Sequence, residues 1–347
     1  MEGIYALVAV IVVAVVSGVA LFLAGRARPS PSEPTETSRV ALVYNPSKPH
    51  DWPALIALLA DAVRDAGLAE PLIFETTVED PGVGQAREAI AKGADLVIAA
   101  GGDGTVRAVA EGLARTGTAM GIIPSGTGNL FARNIDLPLD DPAAAIEIAL
   151  RGSERHIDIG WLRNRDARQD ISEHLFLVVA GIGFDGEMVA ETDPTLKKQI
   201  GWFAYGVGAV KGMLRPRMST TVTIDDANEP IRRTARSVMI ANCGWLPAGV
   251  ALQPDAELDD GFLDLVTVDT RGGAIGWASL GGKLILRTVG FRGEATDIAS
   301  TLEYHRGREF HIATDQTSWV QVDGDLVAES SIISARVDPG ALIVRGP

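Results

Sequence analysis

Apolar positions fall along this chain in three textures. Residues 4–24 carry no charged side chain. At about 1.5 Å per helical residue, these 21 positions match the roughly 30 Å hydrocarbon layer of a bilayer. The first texture predicts one membrane-spanning helix. A cleaved leader fits less well, because Met1, Glu2 and Gly3 supply no basic side chain ahead of the run. From Val40 short apolar runs alternate with segments whose apolar residues recur every three or four positions. The runs Val40–Tyr44, 71–77, 95–100 and Ala119–Pro124 predict strands. Helices are predicted where Trp52, Leu55, Leu59 and Val63 share a face, over Val83–Ala91, and over 105–115 with Val106, Val109 and Leu113 aligned. Strands separated by helices of this length predict a doubly wound α/β domain, placed at residues 39–150.

Beyond Arg151 β-branched runs bounded by turns take over, at 175–179, 220–224, Ser237–Ala241, 263–268, 308–313, 319–322 and 332–337. They predict an antiparallel β-sandwich over 151–347, interrupted by two helix-length segments, 196–214 and 273–289. Residues 26–38 read RARPSPSEPTETS, a proline-rich tether without apolar periodicity that reaches at most about 3.1 Å per residue. Arg26 and Arg28 follow the expected span and Glu2 precedes it. Basic residues stay on the cytoplasmic side, so the expectation is a single-pass protein of the cell membrane with its body facing the cytoplasm.

Charge narrows the function classes. The chain has 31 Lys and Arg against 45 Asp and Glu, a net charge of −14, which argues against nucleic acid as a partner. The single cysteine, Cys243, excludes an intrachain disulfide. His50, His156, His174, His305 and His311 stand in no metal-ligand spacing.

Four short motifs carry candidate chemistry. Gly101, Gly102, Asp103, Gly104 and Thr105 stand where the third strand turns into a helix. Glycines there let backbone N–H groups approach a ligand, and a helix N-terminus favours an anion, so a phosphate is the natural occupant; a plain helix cap is the alternative. Ser125, Gly126, Thr127, Gly128 and Asn129 form a second glycine turn after the next strand. Loops at the carboxyl ends of neighbouring parallel strands share one crevice, so both turns can grip one polyphosphate. No Walker-type lysine follows, which leaves charge neutralisation to a divalent metal or to lysines elsewhere. Glu257, Asp259, Asp260 and Asp264 surround Gly261 and Phe262, a set of hard oxygen ligands suited to Mg2+ or simply a solvated acidic turn. Asp323, Gly324 and Asp325 follow a strand directly and read as a hairpin turn.

The ordered set GGDGT, PSGTGN with FAR behind it, GIGFDGEMV, LDDGFLD and VDGD resembles the diacylglycerol kinase and sphingosine kinase superfamily, from about Arg39 to the C-terminus. The resemblance implies an N-terminal ATP-binding domain, a C-terminal β-sandwich that holds the lipid, and a site between them. ATP contacts are then expected at Asn45, Thr76, Gly102, Asp103, Gly104, Thr105, Val106, Arg107 and Thr127. A Mg2+ site is expected at Asp260 and Glu257 with the backbone of Phe262. The resemblance leaves two candidates for the base, Asp103 and Asp325; the expectation is Asp325, with Asp323 supporting it and Asp103 serving phosphate and metal. Departures stand at Arg107-Ala108, where the family often has Asn-Glu, and at Asn129-Leu130, where it often has Asn-Asp. The expected reaction is phosphorylation of the hydroxyl of diacylglycerol or a related long-chain lipid. Its rivals are an NAD kinase-like nucleotide kinase, which shares GGDGT, and a lipid-binding protein without turnover. The expected partners are a lipid in the bilayer and the membrane itself, with a homodimer left open. Lys197, Lys198, Lys211, Arg215, Arg217, Arg271, Lys283, Arg287 and Arg292, beside Trp202, Phe203, Tyr205 and Trp277, are expected to face the bilayer.

Overall fold

A computed structural model of the chain describes residues 39–48, 50–166, 170–183, 217–246, 250–253, 256–271, 279–280, 282–283 and 300–347. The expected span 4–24, the tether 26–38, the expected helix 196–214 and most of 273–289 lie outside the described residues, as does most of the proposed bilayer-facing set. Among the described residues no helix is long and apolar enough to cross a membrane. The single-pass membrane location expected from the sequence is therefore corrected: nothing in the described fold supports it.

Four parallel strands, β1 (Val40–Tyr44), β2 (Leu72–Glu75), β3 (Leu96–Gly101) and β4 (Ala119–Pro124), lie in the order β2-β1-β3-β4. Helices cover both faces. Helix α1 (Trp52–Asp65) starts at Asp51, whose carboxylate accepts Ala54 N–H at 3.1 Å, with Pro53 in its first turn. It buries Trp52, Leu55, Leu59 and Val63 as the periodicity predicts. With α5 (Pro142–Arg151), started in the same way by Asp141, it packs on Val40, Leu42 and Tyr44 of β1. Helices α2 (Val83–Ala91) and α3 (Asp103–Leu113) pack on the opposite face, against Ala41 and Val43. A short helix, α4 (Leu130–Asn134), follows the second glycine turn. The doubly wound expectation is met, and α5, which the periodicity reading passed over, completes one layer.

The rest of the described chain is β-rich. The strands are β5 (Ser153–Asp166), β6 (Ile171–Phe176), β7 (Val179–Ile182), β8 (Met218–Ile224), β9 (Ile231–Ala235), β10 (Ser237–Ala241), β11 (Trp245–Leu246), β12 (Val250–Ala251), β13 (Leu263–Thr270), β14 (Ser300–Gly307), β15 (Glu309–Val322) and β16 (Asp325–Gly346). The first half of β15 pairs with β8 and its last residues pair with β7, with an irregularity between Ala313 and Ser318. A bulged strand that changes partners in this way turns the corner between two layers. Leu162, Phe176, Ile182, Val222, Val238, Phe310, Ile312, Val320 and Ile333 fill the core so formed.

One feature differs from the expected division at residue 150. Strand β16 pairs with β15 and β5 in the β-rich lobe, and then Ile343 and Val344 pair in parallel with Ala119 and Met120 of β4. The sheet is thus continuous from one lobe to the other. A single apolar cluster also crosses the seam, joining Val106, Val109 and Phe131 to Leu175, Leu177, Met239 and Cys243.

Where α2 and α3 cross, a Cβ on Gly112 would stand 2.7 Å from Ala86 Cβ and 2.8 Å from Val83 O. Alanine gains up to about 1 kcal/mol over glycine in a helix interior, whereas overpacking against backbone costs about 1–3 kcal/mol. Gly112→Ala is expected to lower the urea midpoint of unfolding, and a raised midpoint would show that the helices separate freely.

Candidate active site

The carboxyl ends of β1, β3 and β4 open into one crevice, and each contributes a turn. After β1, Asn45 N–H donates to Ala100 O at 3.1 Å, which fastens this turn to β3. Its side-chain amide lies 3.4 Å from Thr105 Oγ1, and its carbonyl accepts Ser47 N–H at 3.0 Å. After β3, Gly102 caps α3, whose first-turn N–H groups have no helical acceptors and point into the crevice. After β4, Ser125 N–H donates to Gly101 O at 2.8 Å, which continues the β3–β4 pairing into the loops. Thr76, at the end of β2, is buried and donates its N–H to Tyr44 O.

The glycines are needed because the two loops touch through their backbones. A Cβ on Gly126 would stand 2.6 Å from Gly102 Cα, and one on Gly128 would stand 2.6 Å from Asp103 Oδ2. Asn129 has φ +48° and spends its side chain on this loop, accepting Gly126 N–H at 3.0 Å and donating to Gly126 O at 2.9 Å. It braces the turn, and Thr127 is the exposed side chain there. Val106 likewise points into the core.

Asp103 turns toward the second loop, accepting Leu130 N–H at 2.5 Å and so capping α4. Burial pushes its carboxyl above the ordinary value; the amides of Leu130 and Asn129 oppose that shift and the charge of Asp323 adds to it. A lysine supplies the missing positive charge. The Lys48 ammonium lies 3.6 Å from where a Gly102 Cβ would be, so it stands over the contact between the two loops. The sequence reading takes only Asn45 from the turn after β1. Strand-end position was the signal available for Lys48, because any residue on that turn faces the same crevice.

The β-rich lobe brings Asp323 and Asp325 to the same place on the turn between β15 and β16. Asp323 and Gly324 have φ +49° and +88°, and Val322 pairs with Asp325, a two-residue hairpin of the expected kind. Asp323 is buried and accepts the N–H groups of Leu177, Val178 and Val179 at 2.9, 2.9 and 3.0 Å. Its carboxylate shapes the bend before β7 and is buried away from solvent. Burial raises its pKa against the opposing charge of Arg107. Asp325 is the accessible member, with its side chain 57% exposed. Its Oδ2 lies 3.5 Å from where a Gly104 Cβ would be, directly beside the first glycine loop.

The expected metal ligands are disposed differently. Asp260 Oδ1 accepts Phe262 N–H at 2.9 Å, and Oδ2 lies 3.0 Å from an Arg306 guanidinium nitrogen. The guanidinium groups of Arg306 and Arg308 also cover the Phe262 ring, at 5.9 and 5.0 Å, and Glu257 is exposed. Among the described residues no group of three or more His, Cys, Asp or Glu is placed to hold a metal ion. An arginine paired to the central carboxylate is a poor neighbour for a cation, so this turn does not fit the expected Mg2+ site. It acts in the fold instead: Asp158 accepts Gly261 N–H at 2.6 Å and Gly340 N–H at 2.8 Å, pinning the turn to β16.

Comparison with known proteins agrees with an α/β lobe followed by a β-rich lobe. The family described as diacylglycerol kinase catalytic domain matches residues 39–162. The family described as YegS C-terminal NAD kinase beta sandwich-like domain matches residues 178–346. A diacylglycerol kinase of Staphylococcus epidermidis is 29% identical over 295 residues, covering 83% of this chain and 85% of that protein. One of Bacillus subtilis is 27% identical over 290 residues, covering 83% and 89%. A crystal structure from Bacillus anthracis str. Sterne superposes with a TM-score of 0.71 at 22% identity, covering 91% of this chain and 97% of that one. At that identity the superposition carries the fold and nothing finer.

Two predictions follow from the loop geometry and the buried carboxylates. Gly126→Ala must part the two loops by several tenths of an ångström and is expected to weaken ATP binding about 10-fold or more, with the far-ultraviolet circular dichroism unchanged; unaltered affinity in calorimetry would contradict the contact. Because the Asp323 pKa is raised in the folded state, the folded protein holds this proton more tightly than the unfolded chain. The stability from that proton is complete below the ordinary value of 3.8 and is lost as pH rises through the folded pKa. The stability of the wild type relative to Asp323→Asn is therefore expected to fall as pH rises above about 4 in urea titrations, and a difference that grows with pH would reverse the sign.

Proposed function

The chain belongs to the diacylglycerol kinase catalytic-domain family, and from that premise we propose that it transfers the γ-phosphoryl group of MgATP to the hydroxyl of diacylglycerol or a closely related long-chain lipid. The observation that carries this reading is the meeting of Asp325 with the glycine loop at Gly104. The N-terminal turn of α3 and the Lys48 ammonium stand beside an accessible carboxylate from the other lobe. Phosphoryl transfer asks for little else from a protein, being mostly positioning and charge stabilisation.

In this reading the first turn of α3, Lys48, Thr127 and the side chain of Asn45 hold the triphosphate. Lys48 neutralises charge that builds on the bridging and terminal oxygens. Mg2+ enters with the nucleotide as part of the substrate. The lipid hydroxyl oxygen attacks the γ-phosphorus, the bond from that phosphorus to the β,γ-bridging oxygen breaks, and ADP leaves. Asp325 accepts the hydroxyl proton. Asp103 serves by fixing the second loop against the first. The buried apolar seam beside the site keeps the two halves in register.

Labelled ATP incubated with the purified protein and a total lipid extract supplemented with diacylglycerol is expected to transfer radioactivity into the organic phase. Asp325→Asn should lower kcat about 100-fold or more with little change in ATP affinity, because its contact is made only in the transition state. Lys48→Ala should weaken ATP binding as well as turnover. Label that enters only a nucleotide acceptor, or no acceptor while lipid still binds, would overturn the reading.

A further inference from the structure

Arg107 stands in the second turn of α3, four residues after Asp103 and so on the same side of the helix. Its side chain reaches across to the turn between β15 and β16. One guanidinium nitrogen donates to Val322 O at 2.6 Å and another to Asp325 Oδ2 at 2.8 Å. Val322 and Asp325 are the two residues that flank the Asp323-Gly324 turn, so one fork closes both the entry and the exit of the turn that carries the accessible carboxylate. The Arg107 side chain is 19% exposed, whereas that of Asp325 is 57% exposed. The arginine is thus largely withdrawn from solvent, and the carboxylate it holds remains open on its other side.

The charged and titratable groups around Arg107 are Asp325 and Asp323 from the turn, His174 from β6 and Glu111 from its own helix. Three of these four are carboxylates. Arg107 is the cation that makes their company with Asp103 tolerable at a packed seam. A planar fork is required, since a lysine ammonium can lie beside Val322 O or beside Asp325 but does not present two parallel donors to both.

We infer that Arg107 is a positioning residue: it couples the helix that bears the phosphate loop to Asp325, and holds that carboxylate against the loop without itself binding nucleotide. The inference rests on the reading of Asp325 as proton acceptor. Because α3 is rigid between Gly102 and Arg107, a shift of the loop on nucleotide binding moves Asp325 with it. Arginine at this position gives the chain a link across the seam that a shorter side chain could not make.

The test is a double-mutant cycle read in turnover and in ATP affinity. Arg107→Ala is expected to lower kcat about 10- to 100-fold with ATP affinity unchanged, and Arg107→Lys to recover part of the loss. In the Asp325→Asn background the same Arg107→Ala change should cost no more than about 2-fold, because the partner through which it acts is already gone. A merely structural arginine would slow both backgrounds equally, and that result overturns the inference. Loss of ATP affinity with kcat intact would return Arg107 to the nucleotide site and overturn it as well. Normal turnover by Asp325→Asn alone would defeat the assignment of the base, a pattern distinct from either. If Arg107→Ala does not fold, Arg107→Gln, which keeps a donor for Val322 O without the charge, completes the same cycle.

Discussion

Strand β16 leaves the Asp323-Gly324 turn, runs beside β15 and β5, and ends in parallel register with β4. Its backbone hydrogen bonds are therefore shared between the lobe that carries the glycine loops and the lobe that carries Asp325. Neither lobe can rotate far without breaking sheet pairing, which is costly for buried backbone groups. Two further ties lock the same strand. Arg115, at the end of α3, makes a two-pronged ion pair with Asp338, and Asp158 joins Gly340 to the acidic turn at Gly261. The seam is built as part of the fold, and a site placed on it is preorganised.

Within that frame, the local chemistry is a matter of close approach and of charge. Gly126 lets the two loops pack backbone to backbone and Gly128 leaves room for the Asp103 carboxylate, with the helix N-terminus and Lys48 beside that contact. Carboxylates gather there as well, and each is spoken for differently. Asp103 caps α4, Asp323 shapes the bend before β7, and Asp325 alone keeps an exposed face. Two of the three are thus engaged by structure, and the proposed role of Asp325 rests on its exposed face.

Much of this was legible in the chain, for identifiable reasons. The α/β elements declare themselves because Trp52, Leu55, Leu59 and Val63 repeat at helical spacing, and because β3 and β4 are buried on both faces and read as unbroken apolar runs. The glycine loops are visible because close backbone contact leaves glycine in the sequence. What a polar side chain does once it arrives is far less visible. Asn129 looks like a ligand contact and braces its own turn; Asp260 looks like a metal ligand and pairs with Arg306, which lies more than forty positions away in sequence. Arg107 follows the phosphate loop in sequence and points across the seam. Each outcome depends on a partner brought in by tertiary packing, which periodicity does not encode. The continuity of β16 escaped for the same reason, since its bulge between Asp338 and Leu342 breaks the alternation that would have marked one strand.

In the proposed reaction the transferred phosphoryl group lies between the loop at Gly102–Gly104 and the Asp325 carboxylate. A crystal structure of the protein with a non-hydrolysable ATP analogue measures that placement most directly. The account predicts the γ-phosphate on the first-turn N–H groups of α3, with Lys48 within hydrogen-bond distance and Asp325 facing the phosphorus from the side opposite the β,γ bridge. A triphosphate that lies elsewhere, or one whose γ-phosphate points away from Asp325, would contradict it.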